Sequence, residues 1–421
     1  MRRIYLTIAT TLIFLLTLSA CDVTDPGQTD IRERQLPREL SAQEKLLVEG
    51  SNDFAFRLLH KLLEKEPDDS FFASPLSIST AFAMAMNGAD GDTYDQIRDF
   101  FGHRGLTRDE INKAFLQLIV LLTTLDEQVR FDIANSVWYR EGYPVLQEFL
   151  DVNKEYFDAE VRPLDFGRPD APDIINAWIN EKTEGLIEEM IDEIGPDVIM
   201  YLINAIYFNG DWTVQFDPDD THDQPFTRSD GSKTEVPMMK VADKFRYHID
   251  DEWTALDMWY GDAGFSFTAL MPTAGADDGG LDLLAHELTH ARFESITSNL
   301  KSDTMNVYMP KFEIDYEIEK FPRDLIEMGL TIPFTGGLAD FTKITREDPL
   351  VISDVLHRAV IKLDEEGTEA AAVTVIEFTR ITSVGGGPSR LTIRLDRPFL
   401  FFIRENTSNT ILFMGKYDGS S

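Results

Sequence analysis

An α+β fold is what this sequence predicts, on three observations. Phe54, Leu58, Leu59, Leu62 and Leu63 recur at helical spacing, the mark of an amphipathic helix with one face on a core. Residues 303–318 alternate with period two, as a strand with two unlike faces does. Two apolar runs near the end, 399–403 and 411–414, flank a polar stretch at 406–409 and read as a buried hairpin. The 421 residues are 43% apolar, enough for a sizeable core. No internal repeat or second domain is visible.

In chain order, residues 1–20 are a targeting segment rather than part of the fold. Arg2 and Arg3 give a basic start, and the apolar run at 6–18 is too short for a comfortable membrane span. It ends in Leu18-Ser19-Ala20-Cys21, which resembles the lipobox of bacterial lipoproteins. That resemblance implies a lipid on Cys21 and, through it, attachment to a bacterial membrane outside the cytoplasm, in the periplasm or at the cell surface. The plainer reading is a secretory peptide cut near Ala20, which leaves Cys21 as a free thiol. Cys21 is the only cysteine, so no disulfide within the chain is available and stability rests on the core.

Residues 21–40 are polar, carry Pro26, Gly27 and Pro37, and lack a periodic apolar face, as a flexible tether does. The folded domain is expected over 41–421. Ser41-Ala42-Gln43-Glu44 has the form of a capping box, and the amphipathic helix covers 51–65. Residues 204–212 read as a strand. Within 303–318, Met305, Val307 and Met309 share one parity, while Phe312, Ile314, Tyr316 and Ile318 share the other. The switch falls at Pro310-Lys311 and marks a bend or bulge. Residues 365–378 alternate as well, with Thr368, Ala370, Ala372, Thr374, Ile376 and Phe378 forming a charge-free face. The stretch 379–390 contains Gly385-Gly386-Gly387-Pro388 and reads as loop. A strand-competent segment running into such a loop fits an ordinary strand. It equally fits a loop stored outside a sheet and inserted later.

The chain carries 39 Lys and Arg against 74 Asp and Glu, a net charge of −35. So acidic a surface argues against nucleic acid and against polyanions such as heparin as partners, since both need basic surface. It favours solubility. One motif invites a metal: His286-Glu287-Leu288-Thr289-His290 matches H-E-x-x-H, two zinc ligands one helical turn apart with a glutamate base. Ile296 stands where a third histidine would be needed in one such class, and Glu313 falls in the strand at 303–318. The segment is expected to be a solvated helix, and no metal or cofactor is expected.

From about residue 51 to residue 417 the chain resembles the serpins, a family of protease inhibitors. The resemblance is carried, in order, by Ser74-Pro75-Leu76-Ser77-Ile78-Ser79; by Asn176, Trp178, Thr183 and Gly185; and by Asn204-Ala205-Ile206-Tyr207-Phe208-Asn209-Gly210-Asp211-Trp212. Val236-Pro237-Met238-Met239, Met309-Pro310-Lys311-Phe312, His357 and Glu365-Glu366-Gly367-Thr368-Glu369-Ala370-Ala371-Ala372 follow. Arg397-Pro398-Phe399 and Leu412-Phe413-Met414-Gly415-Lys416 complete it. Leu186 stands where the family commonly has lysine, a change expected at the surface.

The resemblance implies the serpin form of the α+β class: mixed β-sheets surrounded by helices, with an exposed reactive-centre loop. It implies a monomeric inhibitor of serine-type endopeptidases, with cysteine-type enzymes also in reach, and not an enzyme. The target's serine attacks a loop carbonyl and forms a covalent acyl complex. The cut loop then enters the main sheet as a new strand. Glu365, Gly367, Thr368, Ala370, Ala372 and Thr374 correspond to the hinge of that loop. Ser74, Ser77, Asn204 and His357 correspond to a polar shutter under the place where the sheet parts. Lys311 and Glu365 correspond to the pair that closes the top of the sheet, with Trp212 beneath it. The usual count of sixteen residues past Glu365 puts the scissile bond between Ile381 and Thr382, which suits an elastase-like or subtilisin-like target. A loop one residue shorter puts it between Arg380 and Ile381, which suits a trypsin-like one. As a strand, 368–381 spans roughly 46 Å, enough to drag a tethered protease to the far pole and stall deacylation. The native form is then kinetically trapped. The alternative is a non-inhibitory serpin that binds or chaperones. The small, uncharged Thr368, Ala370, Ala372 and Thr374 speak against it.

Overall fold

The computed structural model describes residues 35–273, 280–368 and 390–420. Its helices are α1 (Ala42–Lys65), α2 (Pro75–Met86), α3 (Gly91–Phe100), α4 (Arg108–Thr123), α5 (Gln147–Phe157), α6 (Ala171–Lys182), α7 (Gly280–Glu287), α8 (His290–Ser298) and α9 (Phe321–Glu327). The first eight strands are β1 (Phe71–Ala73), β2 (Val129–Arg140), β3 (Glu160–Leu164), β4 (Met200–Asp211), β5 (His222–Thr227), β6 (Lys233–Ile249), β7 (Trp253–Tyr260) and β8 (Phe265–Pro272). The rest are β9 (Lys301–Pro310), β10 (Phe312–Glu317), β11 (Arg358–Leu363), β12 (Gly367–Thr368), β13 (Leu391–Arg394), β14 (Phe399–Glu405) and β15 (Ile411–Tyr417).

α1 starts where the capping box puts it. The Glu44 N–H donates to Ser41 Oγ at 3.2 Å, and the Ser41 N–H returns to Glu44 Oε2 at 2.8 Å. The helix is longer than 51–65 because its first turns are also anchored. The buried Glu44 carboxylate is paired bidentately with Arg38 at 2.5 and 2.8 Å, and Leu47 and Val48 continue the buried face. Arg38 and the buried Leu40 belong to the stretch expected to be tether, so its described end packs on the domain.

Two sheets carry the fold. The nine-stranded sheet runs β1-β15-β14-β8-β7-β6-β9-β13, with β5 paired to β6. The terminal hairpin β14–β15 lies inside it, flanked by β8 and β1, which is why both strands are apolar on both faces. The six-stranded sheet runs β10-β11-β12-β4-β2-β3. The parity switch at Pro310-Lys311 is more than a bulge. β9 belongs to the nine-stranded sheet and β10 to the six-stranded one, so the chain changes sheets at Lys311, whose N–H is held by Pro237 O at 2.8 Å.

The six-stranded sheet is covered on both faces, and its strands alternate between them. From β4, Ile203 and Ala205 join Trp138, Trp178 and Ile179 in a cluster under α6, while Phe208 enters the main core. From β11, Ala359, Ile361 and Leu363 face the main core, and Val360 packs on the α6 side.

Candidate functional site at the opening of the six-stranded sheet

β11 ends in a tight turn: Asp364 N–H donates to Gly367 O at 2.9 Å, and Asp364 Oδ1 accepts from the Glu366 and Gly367 N–H groups at 3.0 and 3.3 Å. The turn feeds Gly367 and Thr368 back between β11 and β4. Thr368 lies opposite Leu363 on one side and Gly210 on the other, and Gly367 opposite Asp211. Glycine is needed at 367, because a Cβ there would sit 2.2 Å from Gly210 O and 2.8 Å from Asp211 Cα. Thr368 is 4% exposed. Its hydroxyl lies 2.6 Å from the hydroxyl of Tyr260 on β7, whose ring stacks on Trp212 with centroids 4.4 Å apart.

The expected pair at the top of the sheet is formed. Lys311 Nζ donates to Glu365 Oε2 at 2.7 Å, and Thr221 Oγ1 donates to the other oxygen at 2.8 Å. Burial alone would raise the Glu365 carboxyl, but these two bonds bring it below its usual range. Trp212 lies beneath, its Nε1 donating to Asp364 O at 2.9 Å and its N–H to Glu366 O at 2.7 Å.

Past Thr368, β4 and β11 share no ladder among the described residues. A narrow cavity separates them, and Ser74, Ser77, Asn204 and His357 line it. His357 Nε2 accepts from the Ser74 N–H at 3.0 Å, Ser74 Oγ donates to Leu412 O at 2.7 Å, and Ser77 Oγ donates to Asn204 O at 3.4 Å. Asn204 Nδ2 donates to Asn135 Oδ1 at 2.7 Å, whereas its buried Oδ1 has no hydrogen-bond partner among the described residues. Burial pushes the His357 imidazole down to about 4, so it is neutral near pH 7 and able to accept at Nε2. The four residues singled out by sequence therefore meet in one place.

The roof of the cavity comes from α6 and the segment after it, including Ile187 and Met190. Leu186 corrects one expectation. It is half-buried, lines this cavity and packs on the α6 cluster rather than lying free at the surface. The roof is pinned on one side by Asn176, whose side chain bonds Met190 and Ile191 backbone at 2.8–3.0 Å. On the other it is pinned by Arg358, which donates to Glu189 O at 2.6 Å while holding Asp315 bidentately at 2.8 and 2.6 Å.

Ala370, Ala372, Thr374, Arg380, Ile381, Thr382 and Cys21 lie outside the described residues. The H-E-x-x-H segment is not one helix. α7 ends at Glu287, the buried Leu288 breaks the run, and Thr289 caps α8, its Oγ1 accepting from the Arg292 N–H at 3.2 Å. His286 and His290 thus sit on different helices, and His290 bonds Asp53 at 3.1 Å. Among the described residues no group of three such side chains could hold a metal. Tyr260, Thr221, Asn135 and Arg358 belong to the site and carry no sequence signal of their own. Asn135 comes nearest, as an amide in an otherwise strand-like run directly opposite Asn204.

Residues 49–418 match the family model described as Serpin (serine protease inhibitor). The chain belongs to the serpin family. A serpin-like protein from Methanosarcina acetivorans is 32% identical over 391 residues, covering 90% of this chain and 87% of its own. The thermophilic serpin tengpin in its native state superposes with a TM-score of 0.79 at 28% identity, over 91% of this chain and 96% of that one. Human thyroxine-binding globulin complexed with thyroxine gives 0.78 at 28% identity, over 89% and 98%. The expected fold is the one found. Serpins as a family act on proteases and are generally inhibitors rather than catalysts.

Proposed function

We propose that this serpin inhibits a serine-type endopeptidase by offering 369–389 as a cleavable loop and inserting the cut loop between β4 and β11. One observation carries the reading. Gly367 and Thr368 already form a strand in that slot, and beyond them no ladder among the described residues crosses it. Continued in the same register, Ala370, Ala372 and Thr374 would come opposite Phe208, Ile206 and Asn204 on β4, and opposite Ile361, Ala359 and His357 on β11. The small face then enters the core, and Thr374 arrives in the polar shutter, where Asn204 Oδ1 lacks a partner. The chemistry is the protease's own. Its serine adds to the loop carbonyl, the peptide bond breaks, the leaving amine takes a proton, and insertion stalls hydrolysis of the remaining ester.

Incubation with a panel of proteases tests this. An SDS-stable complex is expected, with mass spectrometry placing the cut after Arg380 or Ile381. Clean loop cleavage with neither a complex nor a gain in melting temperature would instead make the protein a binding or chaperone-like serpin. The N-terminal segment supports a lipid-anchored, extracytoplasmic form. Incorporation of labelled fatty acid that survives Cys21→Ser would sink that reading.

A further inference from the structure

One contact at the hinge joins the two sheets. Tyr260 ends β7 in the nine-stranded sheet, whereas Thr368 lies in the six-stranded one. The sheets are stitched here by backbone: Trp212 and Tyr260 form an antiparallel bridge, Thr213 N–H donates to Trp259 O, and Gly261 N–H donates to Asp211 O, both at 2.9 Å. The Tyr260 ring is therefore fixed as well as fully buried. It is stacked on Trp212 and meets Phe208 edge-on at 5.1 Å. Gly210, the residue facing Thr368, lies directly over Tyr260, so a Cβ there would touch the tyrosine's own Cβ at 3.3 Å. A rigid phenol thus points at the one place where a threonine at the head of the loop can meet it.

We infer that Tyr260 is a positioning residue for insertion, a catch whose hydroxyl seats Thr368 before any protease arrives. The inference rests on the inhibitor reading above. Ordering the first residues of a new strand costs backbone entropy that no ladder yet offsets. With Thr368 seated, the cut loop extends an existing rung instead of starting one. After acylation, insertion competes with hydrolysis of the ester, so a faster start means more protease trapped per inhibitor cut.

The test uses Tyr260→Phe, which keeps the ring on Trp212, together with Thr368→Val, which keeps the shape of the hinge, and the double variant. All are assayed on full-length protein with a protease that the wild type traps. Each single variant should raise the ratio of hydrolysed to trapped inhibitor roughly fivefold, the weight of one buried neutral hydrogen bond. The association rate should not change, and the double variant should be no worse than either single one, because both remove the same bond. An unchanged ratio, or additive losses, overturns the inference. So does faster association at an unchanged ratio, which would make the contact a restraint on the loop. Thr368→Val carries the test if Tyr260→Phe fails to fold. A wild type that traps no protease and gains no stability on nicking defeats the inhibitor reading and this inference together. A trapping wild type with unaffected variants defeats only this one.

Discussion

Lys311 and Glu365 make the one charged contact that closes the top of the slot, and their exposure sets its weight. The Glu365 side chain is 10% exposed and that of Lys311 44%, so water screens the pair and its contribution is on the order of 1 kcal/mol. On the inhibitor reading, Lys311→Met should therefore speed spontaneous loss of inhibitory activity at raised temperature by a few-fold, followed as residual activity against time. Because the Glu365 carboxyl lies below its usual range, this contribution is full above that range and fades only as pH falls beneath it. Gly367→Ala should be harsher. The new methyl group meets backbone atoms that cannot step aside, at a cost of about 1–3 kcal/mol, so the hinge leaves its seat and the variant is cut without trapping. A gel showing wild-type complex yield would refute this. Glu365 and Gly367 are legible in sequence because they sit inside a local word, Glu365 to Thr368, and Lys311 because it sits in another, Met309 to Phe312. Tyr260 is not, since its meaning depends on a residue 108 positions away.

At the scale of elements, the slot is roofed by α6 and its return segment, and Arg358 alone among the described contacts above ties that segment to β11. A strand entering between β4 and β11 must pass beneath this roof. Arg358→Ala should thus let the uncut loop insert more readily and shorten the active lifetime on warming. Asp315→Asn, which leaves the bond to Glu189 O in place, should do less. Equal lifetimes for Arg358→Ala and wild type would show that the roof is held elsewhere. Period-two patterning locates β9 and β10, because burial on defined faces imposes it, and unbroken apolar runs locate β14 and β15, which are buried on both faces. Such patterning does not reveal that Lys311 passes between sheets, since a parity switch looks the same for a bulge and a crossing. Nor does it reveal that α7 and α8 are separate, as the H-E-x-x-H spacing hides the Thr289 cap.

At the scale of the whole molecule, two buried histidines weaken the fold in acid. Burial pushes both His103 and His357 from 6.5 down to about 4. Neither His103 ring nitrogen has a hydrogen-bond partner among the described residues. As pH falls below 6.5 the unfolded chain takes up these protons first, so the contribution of these two sites is full above that value and declines until about pH 4. Each site contributes roughly 3 kcal/mol to the decline. The denaturation midpoint should fall across this interval, and His103→Leu should flatten about half of the slope without changing protease trapping. A midpoint independent of pH over that range would remove both histidines from the account.

Thr368 ends a strand of the six-stranded sheet, and Leu391 begins β13, paired in parallel with β9 in the nine-stranded one. The intervening backbone therefore links the two sheets, and on the inhibitor reading its continuity is what a protease breaks. On that reading, severing it is a covalent event with no route back, so each copy acts as a fuse and answers one protease molecule. A population of fuses sets a threshold rather than a percentage. Proteolysis stays near zero while intact copies outnumber active protease, then rises steeply once they are spent. On the inhibitor reading, the rate at which new chain is synthesised, rather than any binding constant, sets how long that threshold holds.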